Sequence, residues 1–318
     1  TNSTASNFAW SAVYDPFLTG GAGSGVGTIS ETLINKTTGV LEAVYTVTPT
    51  STANGCIGST YTLTVRVNPE PVGTSTTTTE VCSDVQFNIN PQNYINPNVP
   101  SNFVWSAFYP AGLTGGAGSG SGNITEKLIN TTSTTLEAVY TVTPTSTSGD
   151  CEGASFEITV PVKPEPVVAD ITGNICSGLP INVTLGDNTV VGGPGVVTYT
   201  ITAIINNGLT PGLGNALQDT PYGSDAIVDD VWTNLTSNDV DVVYTILPTA
   251  NNDCDGKPFT VTVTIYREPV GASQTAATVC SNVNFNVNPQ DYITNSTASN
   301  FAWSAVYDPF LTGGAGSG

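Results

Sequence analysis

Apolar and polar residues alternate along most of this chain. The alternation is clearest in YTLTVRV (residues 61–67) and FTVTVTI (residues 259–265). Runs of period two that are rich in Val, Thr and Tyr and bounded by Gly, Pro and Asn are typical of half-buried β-strands. No stretch keeps a 3.6-residue period, so the pattern predicts an all-β fold of sandwiches rather than βαβ units.

The sequence repeats at two scales. Residues 294–318 are identical to residues 1–25, so the chain returns to its start after 294 − 1 = 293 residues. Within that period, residues 10–35 are similar to residues 105–130, and a third, more divergent copy follows. The 293 residues therefore predict three tandem modules of about 100 residues each, the usual size of an immunoglobulin-like β-sandwich.

Proline-rich segments mark the ends of the modules. NPEP (68–71), KPEP (163–166) and REP (267–269) each follow an alternating run. Proline stops a strand and stiffens the junction, which favours an extended rod or filament. We expect module one at 1–71, lacking its first strands, module two at 72–166, module three at 167–269, and the first strands of the next copy at 270–318. The strands expected in module two are 81–90 (A and B), 103–109 (C), 123–130, 136–145 (F) and 156–162 (G).

Charge is sparse and mostly negative. The chain has 25 acidic and 6 basic residues, a net charge of −19. Nucleic acid is an unsuitable partner because its phosphates are neutralised by Lys and Arg, and an anionic membrane is unsuitable for the same reason. No apolar run reaches transmembrane length, so no membrane insertion is expected in this window.

The cysteines fall into two classes that recur with the modules. Such regular spacing suggests disulfides formed outside the cytoplasm, the alternative being buried free thiols. Cys82, Cys176 and Cys280 lie in Val/Ile-Cys-Ser settings, and Cys56, Cys151 and Cys254 lie in Cys-x-Gly settings or beside Gly or Asp.

Topology suggests which cysteines pair. In a seven-strand sandwich the first strand begins at the same pole as the F–G loop, which predicts Cys82–Cys151 and Cys176–Cys254. The same logic pairs Cys280 with the equivalent of Cys56 in the next repeat. The rival pairs, Cys56–Cys82 and Cys151–Cys176, place a whole G strand between partners that must lie within about 7 Å.

Aromatic residues recur at two positions. We expect the tryptophans to be core anchors packed against the disulfides, the alternative being sugar-stacking platforms, with Ile201 replacing Trp in module three. The tyrosines stand at the start of strand F and are similar to a tyrosine corner. These residues are Trp10, Trp105 and Trp303, and Tyr45, Tyr140 and Tyr244.

Two further motifs do not by themselves indicate a specific function. The Gly-rich segments 20–25 and 115–120 lack the Gly-Lys-Ser/Thr ending of a phosphate loop, so we expect a flexible connection between sheets. Asn-x-Ser/Thr sequons are abundant in this Thr- and Asn-rich chain, and their use as glycosylation acceptors depends on the host. Examples are Asn35, Asn123, Asn130, Asn182 and Asn234.

Aspartate clusters are the weak candidates for a metal site. Oxygen ligands of this kind suit calcium, but no EF-hand spacing is present and a solubilising surface is the expected role. No cleft residues accompany them to make a glycosidase pair. The chain has no His, which excludes Ser–His and Cys–His chemistry, and we expect neither an enzyme nor a cofactor. The clustered residues are Asp225, Asp229 and Asp230, Asp239 and Asp241, and Asp253 and Asp255.

The combined motifs carry a family resemblance. Val-Cys-Ser, Trp-Ser-Ala, Leu-Thr-Gly-Gly-Ala-Gly-Ser-Gly, Leu-Ile-Asn-x-Thr, Val-Tyr-Thr-Val-Thr-Pro-Thr and Val-x-Pro-Glu-Pro resemble the PKD-like repeats of giant Bacteroidota surface adhesins, of the SprB-like gliding type. The resemblance implies an immunoglobulin-like sandwich, type IX secretion and a surface filament used in adhesion or gliding.

The leading hypothesis is a non-enzymatic, extracellular stalk at the cell surface. Its partners would be adjacent repeats of the same array, with surface polysaccharide or other adhesin filaments as further candidates. Two alternatives remain: a carbohydrate- or calcium-binding module array, and a filament subunit that polymerises by β-strand addition.

Overall fold

The computed structural model describes residues 5–187 and 189–318 and is almost entirely β-structure. The chain divides into two compact units, Thr1–Pro164 and Glu165–Gly318. Modules one and two lie in the first unit, and module three and residues 270–318 lie in the second. The described residues contain no apolar helix of membrane-spanning length.

Module one contains one antiparallel sheet and a small second ladder. The sheet has the order β3-β1-β5-β6, and β2 pairs with β4. In β5, Ala43, Tyr45 and Val47 point into the core with the predicted period of two, whereas β6 is exposed almost throughout. The strands are β1 (Ser6–Tyr14), β2 (Leu18–Thr19), β3 (Ser24–Val26), β4 (Ile34–Asn35), β5 (Leu41–Ser51) and β6 (Tyr61–Val67).

Module two repeats this arrangement and adds strands before it. Its strands are β7 (Thr76–Thr77), β8 (Val81–Cys82), β9 (Gln86–Ile89), β10 (Ser101–Phe108), β11 (Leu113–Thr114), β12 (Ser119–Ser121), β13 (Ile124–Lys127), β14 (Ile129–Asn130), β15 (Leu136–Ser146) and β16 (Phe156–Lys163), with a 3₁₀ helix at Pro91–Tyr94. The main sheet runs β12-β10-β15-β16, and both β7 and β8 pair in parallel with β16. On the other layer β9 pairs with β13, which closes the sandwich over the core.

Module three keeps the sandwich with altered connections. Its strands are β17 (Ile171–Cys176), β18 (Val196–Ile205), β19 (Thr210–Pro211), β20 (Pro221–Tyr222), β21 (Trp232–Thr233), β22 (Val240–Ala250) and β23 (Phe259–Tyr266). The main sheet has the order β17-β23-β22-β18-β20, with β17 parallel to β23. β22 and β23 alternate strictly between core and surface, as their sequence predicts.

Residues 270–318 contain a 3₁₀ helix, Pro289–Tyr292, and isolated bridges instead of the strands expected there. The equivalent residues of module two form strands because β13 and β16 supply their partners. Residues 270–318 contain no counterpart of either partner, so the backbone between 274 and 288 stays unpaired by strands.

Candidate functional site

A buried carboxylate ties both layers of module two together. Glu126, on β13, accepts hydrogen bonds from the Tyr140 hydroxyl at 2.5 Å and the Tyr109 hydroxyl at 2.7 Å. Its second oxygen accepts the Ala117 N–H at 2.8 Å, and the Tyr109 hydroxyl also accepts the Gly118 N–H. The group, called the carboxylate clamp here, joins β13, β15 and the Gly-rich segment through buried charge-assisted bonds, which are among the stronger hydrogen bonds in proteins.

The clamp recurs in the other modules. In module one, Glu31 accepts from the Tyr45 hydroxyl, the Tyr14 hydroxyl and the Ala22 N–H. In module three a shorter carboxylate, Asp230, accepts from the Tyr244 hydroxyl and the Ala216 N–H, both at 2.7 Å. The three tyrosines stand at one position of the repeat, so the same buried hydroxyl meets a carboxylate each time.

The surroundings of the clamps shift several pKa values. The hydrogen bond from Tyr45 lowers the pKa of Glu31, helped by the Ala22 N–H. Burial raises the pKa of Tyr109 to about 12, with a contribution from Glu126. Burial also raises the pKa of Asp230 and outweighs the hydrogen bond from Tyr244. All the phenols therefore remain neutral donors near neutral pH, which suits a structural role.

The Gly-rich segment is pinned to the clamp, which corrects the expectation of a flexible connection. Its backbone donates to Glu126 and to Tyr109, as described above. A Cβ on Gly120 would lie 2.3 Å from Cζ2 of Trp105, and one on Gly116 would lie 2.3 Å from Cζ of Tyr109. Glycine is required at these two positions because aromatic rings lie directly against the backbone.

A second polar group, the asparagine clasp, closes each module near the end of its last strand. In module two the side-chain amide of Asn130 donates to the Val162 and Thr134 carbonyls, both at 2.8 Å. Its oxygen accepts the N–H and hydroxyl of Thr132. Asn35 and Asn234 make the same bonds in modules one and three.

The asparagine clasp changes the interpretation of the sequons. Asn35, Asn130 and Asn234 are buried, and both amide hydrogens are used within the module, so the Asn-x-Thr spacing serves the Thr-to-Asn hydrogen bond rather than an attached sugar. Asn123 and Asn182 are exposed and remain candidate acceptors. The sequence signal for the clasp was the recurrence of the asparagine at the same place before strand F.

Two of the three tryptophans predicted as core anchors are buried. Trp10 and Trp105 are buried and meet Tyr45 and Tyr140 edge to face, with ring centroids 5.7 Å apart in both modules. Trp303 is half-exposed instead, because residues 304–318 supply no counterpart of β15 to cover it. Module three has its own buried tryptophan, Trp232, which sequence analysis missed.

Trp232 lies on a different strand from the other tryptophans. Ile201 occupies the usual position on β18, and Trp232 enters the core from β21. Its indole N–H donates to the Tyr244 hydroxyl at 2.7 Å, so it joins the clamp directly. The indole N–H groups of Trp10 and Trp105, in contrast, are buried without an acceptor.

The cysteine pairing predicted from topology is wrong. Cys82 and Cys254 are disulfide-bonded, but Cys151 and Cys176 are free thiols, as are Cys56 and Cys280. Neither Cys82–Cys151 nor Cys176–Cys254 is formed, and neither are the rival pairs.

Strand direction explains the error. Cys82 lies opposite Lys163, the last residue of β16, because β8 runs parallel to that strand. Cys151 precedes the first residue of β16, Phe156, so a strand of about 26 Å separates the two thiols. Cys176 likewise lies opposite Tyr266 at the end of β23, far from the loop that carries Cys254. The pairing expected between Cys280 and the equivalent of Cys56 in a next repeat is not tested by this chain and stays a prediction.

Several of the aspartates are engaged individually. Asp230 belongs to the clamp, Asp239 lies 3.9 Å from Arg267, and Asp241 accepts the Thr264 hydroxyl. Within residues 5–187 and 189–318 no group of three His, Cys, Asp or Glu side chains could hold a metal ion. The structure therefore does not bring the weak metal candidates, Asp225 and Asp229 included, into one coordination sphere.

The chain shows low similarity to several solved structures. Drosophila N-cadherin EC1-4 is 13% identical over 83% of this chain and 67% of that chain, with a TM-score of 0.22. Chicken CNTN1 FN1-FN3 is 12% identical over 84% and 91%, with a TM-score of 0.27. The insect immune protein hemolin is 18% identical over 81% and 67%, with a TM-score of 0.21.

No curated protein matches the chain. A family model described as PKD-like domain matches it three times, over residues 1–71, 79–166 and 173–269. Because these matches cover most of the sequence, the chain belongs to the PKD-like domain family, as three tandem copies.

Proposed function

We propose that the chain is a non-enzymatic stalk region of an extracellular surface adhesin. The observation that supports this function best is the repetition of the carboxylate clamp and the asparagine clasp in all three modules. These groups use the buried carboxylates and asparagines described above, and every partner is a strand or loop of the same module. The buried polar chemistry thus serves to hold each module closed.

Two features support placement outside the cytoplasm. Cys82 and Cys254 are oxidised, and disulfides persist mainly in oxidising compartments. The net charge of −19 keeps adjacent copies soluble at high density. The resemblance to SprB-like repeats extends the proposal to a gliding or attachment filament exported by the type IX system.

Surface labelling tests this function. Antibodies raised against the purified chain should label intact cells of the producing organism, and brief protease treatment of those cells should remove the label. Blocking with the same antibodies should reduce attachment or gliding. Labelling that appears only after lysis would refute the surface assignment.

Titration calorimetry tests the inert character of the modules. We expect no stoichiometric heat with calcium or with surface polysaccharide, because the described residues include no group of three His, Cys, Asp or Glu side chains that could hold a metal ion. Binding of one calcium ion per module would overturn the stalk and favour a ligand-binding array.

A further inference from the structure

The loop between the last two strands of module two packs against the end of module one. This F–G loop, residues 147–155, joins β15 to β16. A Cβ added to its Gly153 would lie only 2.0 Å from the Pro71 carbonyl oxygen, and one added to Gly149 would lie 1.8 Å from the side-chain nitrogen of Asn68. Asn68 and Pro71 are the first and last residues of the NPEP segment that follows β6. The loop of module two therefore contacts the linker directly, at both of its ends.

The same contact recurs in module three. There the F–G loop, residues 251–258, joins β22 to β23. A Cβ added to its Gly256 would lie 2.1 Å from the carbonyl oxygen of Pro166, the last residue of the KPEP segment. So close an approach between two backbones is possible because glycine has no side chain. The recurring Cys-x-Gly spacing thus places a glycine against the carbonyl of the second linker proline in both modules.

Each F–G loop is held in position by its own sandwich. The Gly153 N–H donates to the Pro144 carbonyl at 2.9 Å, and Thr145 forms a bridge with Glu152. The equivalent bond and bridge form in module three. The surface that the linker contacts is therefore fixed by the strand before it, and the linker loses little by docking on a site that is already ordered.

The chain beyond each linker is fixed to the same module. Ser75, which follows the NPEP segment, accepts the Glu157 N–H of β16 at 2.9 Å. Its equivalent in module three, Asp170, accepts the Thr260 N–H of β23 at 2.6 Å. Both prolines of the NPEP segment are buried, whereas a free linker would expose them to water. The linker is therefore packed as a part of the module that follows it.

We propose that the F–G loop of each module is a receptor for the Pro-Glu-Pro linker before it, and that this contact makes modules one and two move as one body. The partner is an extended segment of the same chain that presents the carbonyl of its second proline. Two prolines keep a linker extended but only semi-rigid, and domains joined by a linker alone move relative to one another. Gly149 and Gly153 supply the additional contacts that hold the junction.

Distances between one label in each module test the junction in the full chain. Thr46 of module one and Thr141 of module two are exposed and occupy equivalent strands. Each is replaced by p-acetylphenylalanine carrying a nitroxide, which leaves the cysteines unlabelled, and pulsed dipolar electron paramagnetic resonance gives the distance distribution. The unmodified chain should give one narrow distribution. A flexible linker of this length has an r.m.s. end-to-end distance of about 10–12 Å, so a free junction should broaden the distribution to that order.

Gly153→Ala separates the loop contact from the effect of proline. The variant keeps both linker prolines and inserts a Cβ against the Pro71 carbonyl, so the distribution should broaden. Gly39→Ala in module one is the matched control, because a Cβ there would have nothing within 4 Å. The Cβ at position 153 would also lie 3.2 Å from Cγ of Pro144, so hydrogen exchange of β15 and β16 is measured in parallel to show that module two stays folded.

Asn68→Ala tests the other end of the contact without changing module two. It removes the side chain that lies against Gly149, and the distribution should broaden again. Glu70→Ala, at the exposed position of the same linker, is the control and should keep the narrow distribution. If exchange shows that Gly153→Ala unfolds module two, Asn68→Ala alone decides.

The outcomes separate the two sources of stiffness. Broadening in either variant, with β15 and β16 still protected and both controls narrow, supports the receptor. A broad distribution in the unmodified chain overturns the proposal, since the modules would then move independently. Narrow distributions in every folded variant overturn it as well, since the prolines alone would hold the junction. Equal broadening in the controls has the same consequence, because the effect would not depend on the loop contact.

Discussion

Removing one asparagine clasp should destabilise one module selectively. Asn130→Ala deletes the donor of the buried Val162 carbonyl and three local bonds to Thr132 and Thr134. The bond to the Val162 carbonyl, which also pairs with Leu136 in the β15–β16 ladder, contributes about 0.5–1.5 kcal/mol net, and the partly exposed local bonds contribute about 0.5–1 kcal/mol each before water replaces them. We expect a loss of about 2–4 kcal/mol, a large share of the stability of a domain this small.

Hydrogen exchange measured by mass spectrometry resolves the modules within one chain. Peptides from β15 and β16 should exchange faster in Asn130→Ala, while those from module three, held by Asn234, should not change. Asn130→Asp should cost more than Asn130→Ala because a carboxylate oxygen would face the Val162 carbonyl. Asn123→Ala, at an exposed sequon of the same module, is the control and should stay within about 0.5 kcal/mol. Equal effects of Asn130→Ala and this control would refute the reasoning.

Gly120→Ala should destabilise module two by about 1–3 kcal/mol in denaturant unfolding, because its Cβ would strike Trp105. Gly195→Ala is the control and should be neutral, because a Cβ there would have nothing within 4 Å. Equal effects of the two variants would contradict the packing argument. In thermal unfolding of module three, the stability of Asp230→Asn relative to the unmodified chain should decrease as pH falls from 7 to 4. The pKa of Asp230 is raised above 3.8, so its folded state takes up a proton first and is stabilised in acid. Glu31→Gln should show the opposite trend in module one. The lowered pKa of Glu31 gives stability that is present above 4.5 and lost as pH falls through the folded pKa. If the difference in stability between variant and unmodified chain did not change with pH in either module, the pKa direction given for that carboxylate would be contradicted.

The long strands were predictable because the alternation of apolar and polar residues in their sequence indicates both a strand and which of its side chains are buried. The expected strands at 136–145 and 156–162 correspond to β15 and β16 within one residue at each end. These strands lie at the centre of the sheet, where alternation between core and surface is strict. The short strand β7 was missed because two threonines carry no periodic signal.

The site was harder to predict because the local sequence does not state in which direction a strand runs or which strand lies beside it. The cysteine pairs failed on one point, namely that β8 runs beside β16 in the same direction and carries Cys82 to the far pole. Trp232, which is the buried tryptophan of module three as Trp105 is that of module two, was missed for a similar reason. A core volume can be filled from any strand that faces it, so the loss of one tryptophan does not reveal where its replacement stands.

Parallel pairing of the first and last strands determines how a module carries tension. Pulling on the two ends of module two draws β7 and β8 one way and β16 the other, along their common axis. The hydrogen bonds between them are then loaded together in shear, instead of opening one after another. β17 and β23 share six register pairs, against two for β7 and two for β8 on β16. Under a steady pull the rate of forced unfolding decides which module yields, and module two should open before module three.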